Sequence, residues 1–148
     1  MKRENVLKFT SFLANLKLNK FDKEIRSAII SNSLIANRVT RDYETTVQEV
    51  RNRYSEGMDE EIAKLLNYRS ELITNPERSF EIEQKIFEEC SEALRAEAEI
   101  GEFIMHYCEE EIDEKFVKMD KDVFVDQCAN ADIDITVTTL ELINDLFN

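Results

Sequence analysis

The sequence predicts a mainly α-helical protein, and two observations lead to this class. Only two glycines and one proline occur in 148 residues, whereas all-β folds need such residues at their many turns. Apolar residues also recur every three or four positions over long stretches, which is the spacing of one helix face. We therefore expect a single domain, 1–148, built as an elongated antiparallel helical hairpin or bundle. A small two-stranded β element would join its N- and C-terminal regions.

The N-terminal region is predicted to hold a short helix, an extended piece and a long helix. One apolar stripe defines the short helix: Val6, Phe9, Leu13 and Leu16. The extended piece is "LKLNKF", residues 16–21, where apolar and basic residues alternate. A near-heptad stripe then runs from about residue 21 to Gly57 and predicts a helix of roughly 50 Å, ended by that glycine. Its members are Ile25, Ile29, Asn32, Ala36, Val39, Tyr43, Val47, Val50 and Tyr54.

Two further helices are predicted in the middle of the chain. The segment 58–73 has one apolar side, formed by Ile62, Leu65, Leu66, Leu72 and Ile73. Asn75 and Pro76 end this helix and begin the next, because proline suits the first position of a helix. The next helix is expected to run from residue 77 to about residue 119, with a bend or a break near 97–101.

The segment "NADIDITVTTLE", residues 130–141, matches most of the EF-hand calcium loop. Asn130, Asp132, Asp134 and Glu141 fall at loop positions 1, 3, 5 and 12. Position 6 is Ile135, however, and the sharp turn there needs glycine. The same letters also predict a strand at 132–138, followed by a capping box of Thr138 and Glu141 that opens a last helix.

The predicted strand at 132–138 needs a partner for its backbone N–H and C=O groups. Only one other segment, 16–21, has the alternation of a strand. We therefore expect the two segments to pair as a small sheet that joins the two ends of the chain.

The charge of the chain is strongly asymmetric. Residues 1–53 carry eleven Lys and Arg against six Asp and Glu, whereas residues 54–148 carry eight against twenty-six. This split favours a basic helix packed beside acidic helices of the same molecule or of a partner, with nucleic-acid binding as the alternative. Three widely spaced cysteines, no secretory leader and no membrane-length apolar run are typical of a soluble intracellular protein.

The residues with reactive side chains do not form a recognisable catalytic motif. His106, Glu102 and Cys108 lie together in sequence, but there is no second histidine for a di-iron site. Residues two apart on a helix also do not face each other, which argues against a pair of His106 and Cys108. We therefore predict no catalytic, cofactor-binding or metal-binding residues and no cofactor. Asn32 interrupts the long apolar stripe, where it either fixes register or partner number or lies at the edge of the stripe in water.

Residues 27–54 resemble the N-terminal helix of a family of small uncharacterised proteins from tailed phages and prophages. The matching residues are Ala28, Ile29, Asn32, Tyr43, Glu44, Arg51 and Tyr54. The resemblance implies a structural or assembly role, in the host-cell cytoplasm or in a virion. The leading hypothesis is thus a non-enzymatic helical protein that binds a protein partner or itself. The alternatives are a regulator that binds nucleic acid through the basic N-terminal third and, after it, a carboxylate-rich metal-dependent enzyme.

Overall fold

The computed structural model describes every residue from Met1 to Asn148, and it is mainly helical without a β-sheet. Its seven helices are α1 (Arg3–Ala14), α2 (Lys23–Tyr54), α3 (Asp59–Thr74), α4 (Ser79–Glu89), α5 (Ser91–Glu109), α6 (Lys121–Asn130) and α7 (Val137–Leu142). The chain divides into two compact units, which we describe in turn. Unit 1 comprises residues 1–44 and 107–148, and unit 2 comprises residues 45–106. The mainly helical class is therefore confirmed, whereas the single elongated hairpin stays a prediction.

Unit 1 contains the larger apolar core, and the predicted stripes of α1 and α2 supply much of it. All four stripe residues of the N-terminal helix are buried, as are Ile25, Ile29, Ala36 and Val39 of α2. The other side of this core comes from the last third of the chain, where Phe124, Ile143, Leu146 and Phe147 are buried. The Phe124 ring is stacked on that of Phe21, with centroids 5.9 Å apart. The ends of the sequence thus share one core.

Asn32 is the one buried polar residue, and it is fully enclosed in unit 1. Its Nδ2 donates to the Val117 carbonyl oxygen at 2.9 Å, and its Oδ1 accepts from the Val117 N–H at 2.8 Å. The side chain therefore satisfies both backbone groups of one residue in the non-helical segment between α5 and α6. Of the two interpretations of Asn32, the edge position in water is wrong, because the residue is buried and joins two segments of the same chain.

The predicted two-stranded sheet is wrong. Residues Leu18–Lys20 form a turn of 3₁₀ helix instead of a strand, and α7 already begins at Val137. The chain ends instead form isolated bridges with the segment that follows α5. Lys2 pairs with Glu111 and Met119 pairs with Phe147. Short alternating patterns failed here because local turns satisfied the backbone groups, which left no need for a ladder.

The helix α6 was missed by the sequence analysis, although its first residues contain a clear cap. The Oδ1 of Asp120 accepts a hydrogen bond from the N–H of Val123 at 2.9 Å, as expected of an N-cap. At the other end Asp132 has a φ of +57°. The N–H of Ile133 donates to the Cys128 carbonyl at 2.9 Å and that of Asp132 to the Ala129 carbonyl at 3.2 Å, which is the Schellman pattern.

The beginning of α7 also differs from the prediction. Thr136, two residues before the predicted Thr138, is the N-cap, and its Oγ1 accepts from the N–H of Thr139 at 3.1 Å. The helix is therefore capped by a threonine as expected, but the capping box with Glu141 does not form.

Unit 2 is built on an antiparallel pair of helices. α3 and α4 are joined by the short connection 75–78, and the Sγ of Cys90, just after α4, lies 3.8 Å from the carbonyl oxygen of Glu61 near the start of α3. A small core lies between these helices and α5, formed by Leu65, Ile82, Ile86, Cys90 and Ala93.

Three predictions about the helices of unit 2 and its borders are wrong. The helix from residue 77 onwards breaks at Cys90, not near 97–101, and it ends at Glu109 instead of about residue 119. Gly57 does not directly follow α2, which ends at Tyr54, but its φ of +76° lies in the turn before α3. Leu66 and Ile73 are exposed, so the apolar side predicted for α3 is not wholly buried.

Candidate functional site

Of the residues singled out for chemistry in the sequence, the structure brings together only the neighbouring pair His106 and Glu102. His106 is exposed, and its Nε2 is 3.9 Å from the Oε1 of Glu102. Cys108 is half-buried, and burial raises the pKa of its thiol, so the thiol is protonated near neutral pH. Burial also raises the pKa of the Cys128 thiol, to about 11. Both cysteines belong to unit 1, and burial likewise raises the pKa of the Cys90 thiol in unit 2. None of the three cysteines therefore has the lowered pKa of a nucleophile.

The EF-hand-like positions are divided among a helix end, a turn and another helix. Asn130 is the last residue of α6, Asp132 is in the left-handed turn after it, and Glu141 belongs to α7. Asp134 lies between the two helices. No group of three or more His, Cys, Asp or Glu side chains is arranged to hold a metal ion.

An open apolar groove of about 480 Å³ lies in unit 2. Three helices line it: the C-terminal end of α2, one face of α3, and α5. We call it the unit 2 groove. Its apolar lining consists of Ile62, Leu65, Leu66, Ala93, Ala96, Ile100, Gly101 and Ile104. Ala93, Ala96 and Gly101 of α5 have small side chains, so this side of the groove is shallow. A second helix can approach closely where side chains are small.

Gly101 lies inside α5, where a glycine destabilises a helix by roughly 0.5–1 kcal/mol relative to alanine. A Cβ built on Gly101 meets no atom within 4 Å. Neither packing within the chain nor a positive φ therefore requires glycine at this position. Its missing side chain leaves the groove open instead.

The rim of the unit 2 groove is polar and carries one ion pair. Nη1 and Nη2 of Arg69 donate to the two carboxylate oxygens of Glu97 at 2.8 and 2.9 Å. This pairing lowers the pKa of Glu97. Arg51 also lines the groove and forms no ion pair, while the Oγ of Ser55 donates to the Arg51 carbonyl at 2.5 Å. The rim thus has one arginine free to receive a carboxylate.

A second apolar surface of unit 2 lies on α4, and we call it the α4 ridge. Phe80 and Phe87 are seven residues apart and therefore on one helix face, with exposed fractions of 82% and 75%. Glu83 lies between them on the same face, exposed and without an ion pair. The two cations nearest in sequence, Arg78 and Lys85, both pair with Glu81. The ridge is therefore apolar and acidic.

A third surface is a smaller groove of unit 1, of about 280 Å³, between α1, the Leu18–Lys20 turn and α2. We call it the basic groove. It is lined by Leu13, Ala14, Leu16, Leu18, Ile30, Ser33, Leu34 and Asn37. Leu18, Ile30 and Leu34 are exposed. The lining itself is uncharged, but Lys17 and Lys20 flank Leu18 in sequence, and Lys23 and Arg41 share the helix face of Ile30 and Leu34. The surface is therefore apolar with basic residues beside it.

Sequence reasoning missed all three surfaces for the same reason. The helical spacing of Leu66 and Ile73 was assigned to a core that does not reach them. The two phenylalanines of α4 were not singled out, although their spacing of seven residues, opposite the buried Ile82 and Ile86, is a detectable signal. Periodicity shows that a residue lies on a helix face, but it does not show whether another element covers that face.

Comparisons with known proteins give no information about the function of this chain. The chain matches no protein-family model, no curated protein and no solved structure. None of its helices has the length and apolar character needed to cross a membrane.

Proposed function

We propose that this is a non-enzymatic helical interaction protein whose unit 2 groove receives a helix of a protein partner. The single observation that carries the proposal is the open apolar groove between α2, α3 and α5. An amphipathic helix buries its apolar face in grooves of this kind, with anchor residues one or two turns apart.

The chemistry of the groove suits a helix better than a small polar substrate. Its floor is aliphatic, and its polar groups are the Arg69–Glu97 pair, the Ser55 hydroxyl and the free Arg51. Ser55 is engaged with the backbone and has no neighbouring base among the groove residues. The partner helix is expected to carry an acidic residue beside its apolar face, opposite Arg51.

Gly101 supports the same proposal independently of the apolar lining. A glycine inside a helix that no intramolecular contact requires suggests close approach by another chain. Small residues at this position let two helix backbones come near each other.

The proposal includes a structural or assembly role for a phage or prophage, in the host-cell cytoplasm or in a virion. It rests in this respect on the resemblance of residues 27–54 to phage-encoded proteins.

Site-specific photo-crosslinking in the native host tests the groove directly. A photoreactive residue at Leu66, which lines the groove, is compared with one at Ile73, an exposed position on the same helix outside it. We expect a discrete crosslinked protein from position 66 and not from position 73.

A plug variant then tests whether the crosslink depends on the groove. Gly101→Phe adds a ring at a position where a Cβ meets no atom within 4 Å, and Gly101→Ala adds only a methyl group as the matched control. Circular dichroism checks that both variants fold. We expect Gly101→Phe to abolish the crosslink and Gly101→Ala to keep it. Equal crosslinking from both positions, or a product that survives the plug, would show that the groove is not the binding site.

A further inference from the structure

We infer that the protein also associates with itself head to tail, by docking the α4 ridge of one copy into the basic groove of a second copy. This contact uses neither the lining nor the rim of the unit 2 groove, so it does not depend on the proposed function. Its basis is that the chain carries two exposed apolar surfaces of opposite charge.

The basic groove is flanked by cations that form no ion pair. On α2, Lys23, Ile30, Leu34 and Arg41 follow at spacings of seven, four and seven residues, which puts them on one face. Neither Lys23 nor Arg41 forms an ion pair, and the same holds for Lys17 and Lys20 beside Leu18. The floor of the groove includes Leu34, which is 64% exposed.

The α4 ridge has the complementary composition. Two phenylalanines about 10 Å apart along the helix axis project beside the unpaired carboxylate of Glu83. Arg78 and Lys85 share the carboxylate of Glu81, so neither pairs with Glu83. Aromatic side chains are the commonest anchors of protein interfaces, and a lysine near Glu83 would complete the charge pairing.

The charges of the two surfaces determine which surfaces can meet. Two ridges would bring carboxylates together, and two basic grooves would bring lysines together, so like surfaces repel. Ridge with groove is the favourable combination, and it is a heterologous contact in which each copy uses a different surface.

A nucleic acid is the other ligand that a basic surface suggests, but the basic groove fits it less well. Single strands bind to aromatic side chains on which bases stack, and the lining of this groove is aliphatic. Phosphate contacts alone would also leave Leu18, Ile30 and Leu34 without a role.

Mixing two complementary variants tests the head-to-tail contact. Phe80→Ser with Phe87→Ser removes the ridge, and Ile30→Ser with Leu34→Ser removes the groove floor. All four positions are exposed, so folding should be kept, as circular dichroism will check. The wild-type chain has a mass of 17.4 kDa. In sedimentation velocity, we expect its average mass in solution to rise with protein concentration. Each double variant should raise the dissociation constant at least about tenfold.

The decisive result is the mixture. Each double variant retains one intact surface, so the two together should form a 1:1 heterodimer and nothing larger. Val137→Ser, which removes an aliphatic side chain of similar exposure outside both surfaces, is the matched control and should associate like the wild type.

Charge reversal gives a second measurement on the same contact. Glu83→Lys and Lys23→Glu should each weaken association, and their mixture should recover it. The inference is overturned if the wild type stays monomeric up to about 1 mM, or if the mixed serine variants stay monomeric. It is also overturned if a labelled DNA duplex binds the wild type, keeps its affinity for the ridge variant and loses it for the groove variant. That pattern would assign the basic groove to nucleic acid.

Discussion

In unit 1 the side chains of Phe9 and Phe124 are fully buried, whereas in unit 2 those of Phe80 and Phe87 are at least 75% exposed. The cores differ in the same direction, since the main cluster of unit 1 contains sixteen buried residues and that of unit 2 contains five. Large aromatic side chains contribute most to stability when they are enclosed and most to binding when a partner encloses them. The same residue type thus has a folding role in unit 1, whereas in unit 2 it is exposed, and in the head-to-tail contact inferred above it has a recognition role.

The largest expected effect tests this contrast with matched phenylalanine substitutions. Phe124→Ala should lower the free energy of unfolding by about 3–5 kcal/mol, because it leaves a cavity in an enclosed core. Phe87→Ala should change it by no more than about 0.5 kcal/mol, because the ring is in solvent. Urea denaturation followed by circular dichroism measures both.

Thiol labelling along the same urea series localises the change. Cys128 is buried in the core of unit 1 and Cys90 in that of unit 2. Earlier labelling of Cys128 should accompany Phe124→Ala. A large loss of stability for Phe87→Ala would mean that the α4 ridge supports the fold, and the recognition role would then be wrong.

The sequence predicted helices well where an apolar stripe was long and continuous. The stripe of α2 gave its length to within a few residues, because nearly every fourth position from Ile25 to Val50 is buried. The break at Cys90 could not be predicted in this way, since Ile82, Ile86 and Cys90 continue the same spacing across it.

Short segments were predicted poorly because their structure depends on distant residues. The segment 16–21 has the alternation of a strand, yet Phe21 is buried against Phe124, more than one hundred residues away in sequence. The candidate surfaces were missed for a related reason. Whether Leu66 or Phe80 is covered depends on elements whose positions follow from the whole fold.

Asn32, the buried polar residue of unit 1, allows a second test of how strongly the enclosed core contributes to stability. Asn32→Ala removes both hydrogen bonds to the Val117 backbone, at 2.9 and 2.8 Å. Each partly buried group left without a partner destabilises by about 1–3 kcal/mol, so for two groups we expect a total loss of roughly 2–6 kcal/mol by urea denaturation. Asn37→Ala, an exposed asparagine on the same helix, should be nearly neutral. Because alanine has a higher helix propensity than asparagine, Asn37→Ala also corrects for the gain in propensity. Equal effects of the two substitutions would mean that the contact with Val117 contributes no stability.

The smallest expected effect concerns the ion pair at the rim of the unit 2 groove, which contrasts with the buried amide of Asn32. The side chains of Arg69 and Glu97 are 41% and 56% exposed, so solvent screens their attraction. Glu97→Gln should therefore lower the free energy of unfolding by less than about 1 kcal/mol at pH 7.

The hydrogen bonds from Arg69 lower the pKa of Glu97 from its ordinary value of 4.5. A carboxylate with a lowered pKa in the folded state stabilises above its unfolded pKa, and this contribution is lost as the pH falls through the lowered pKa. The stability difference between wild type and Glu97→Gln should therefore be constant at pH values well above the unfolded pKa, and it should disappear as the pH falls below the lowered pKa. Glu99→Gln, an exposed carboxylate of the same helix without an ion pair, provides the control and should show no such pH dependence. A difference that persisted in acid would mean that Glu97 acts through packing and not through its charge. In the proposed docking of a helix in the unit 2 groove, a weak and screened pair would let Arg69 or Glu97 exchange its partner for one on the incoming helix at little loss of stability.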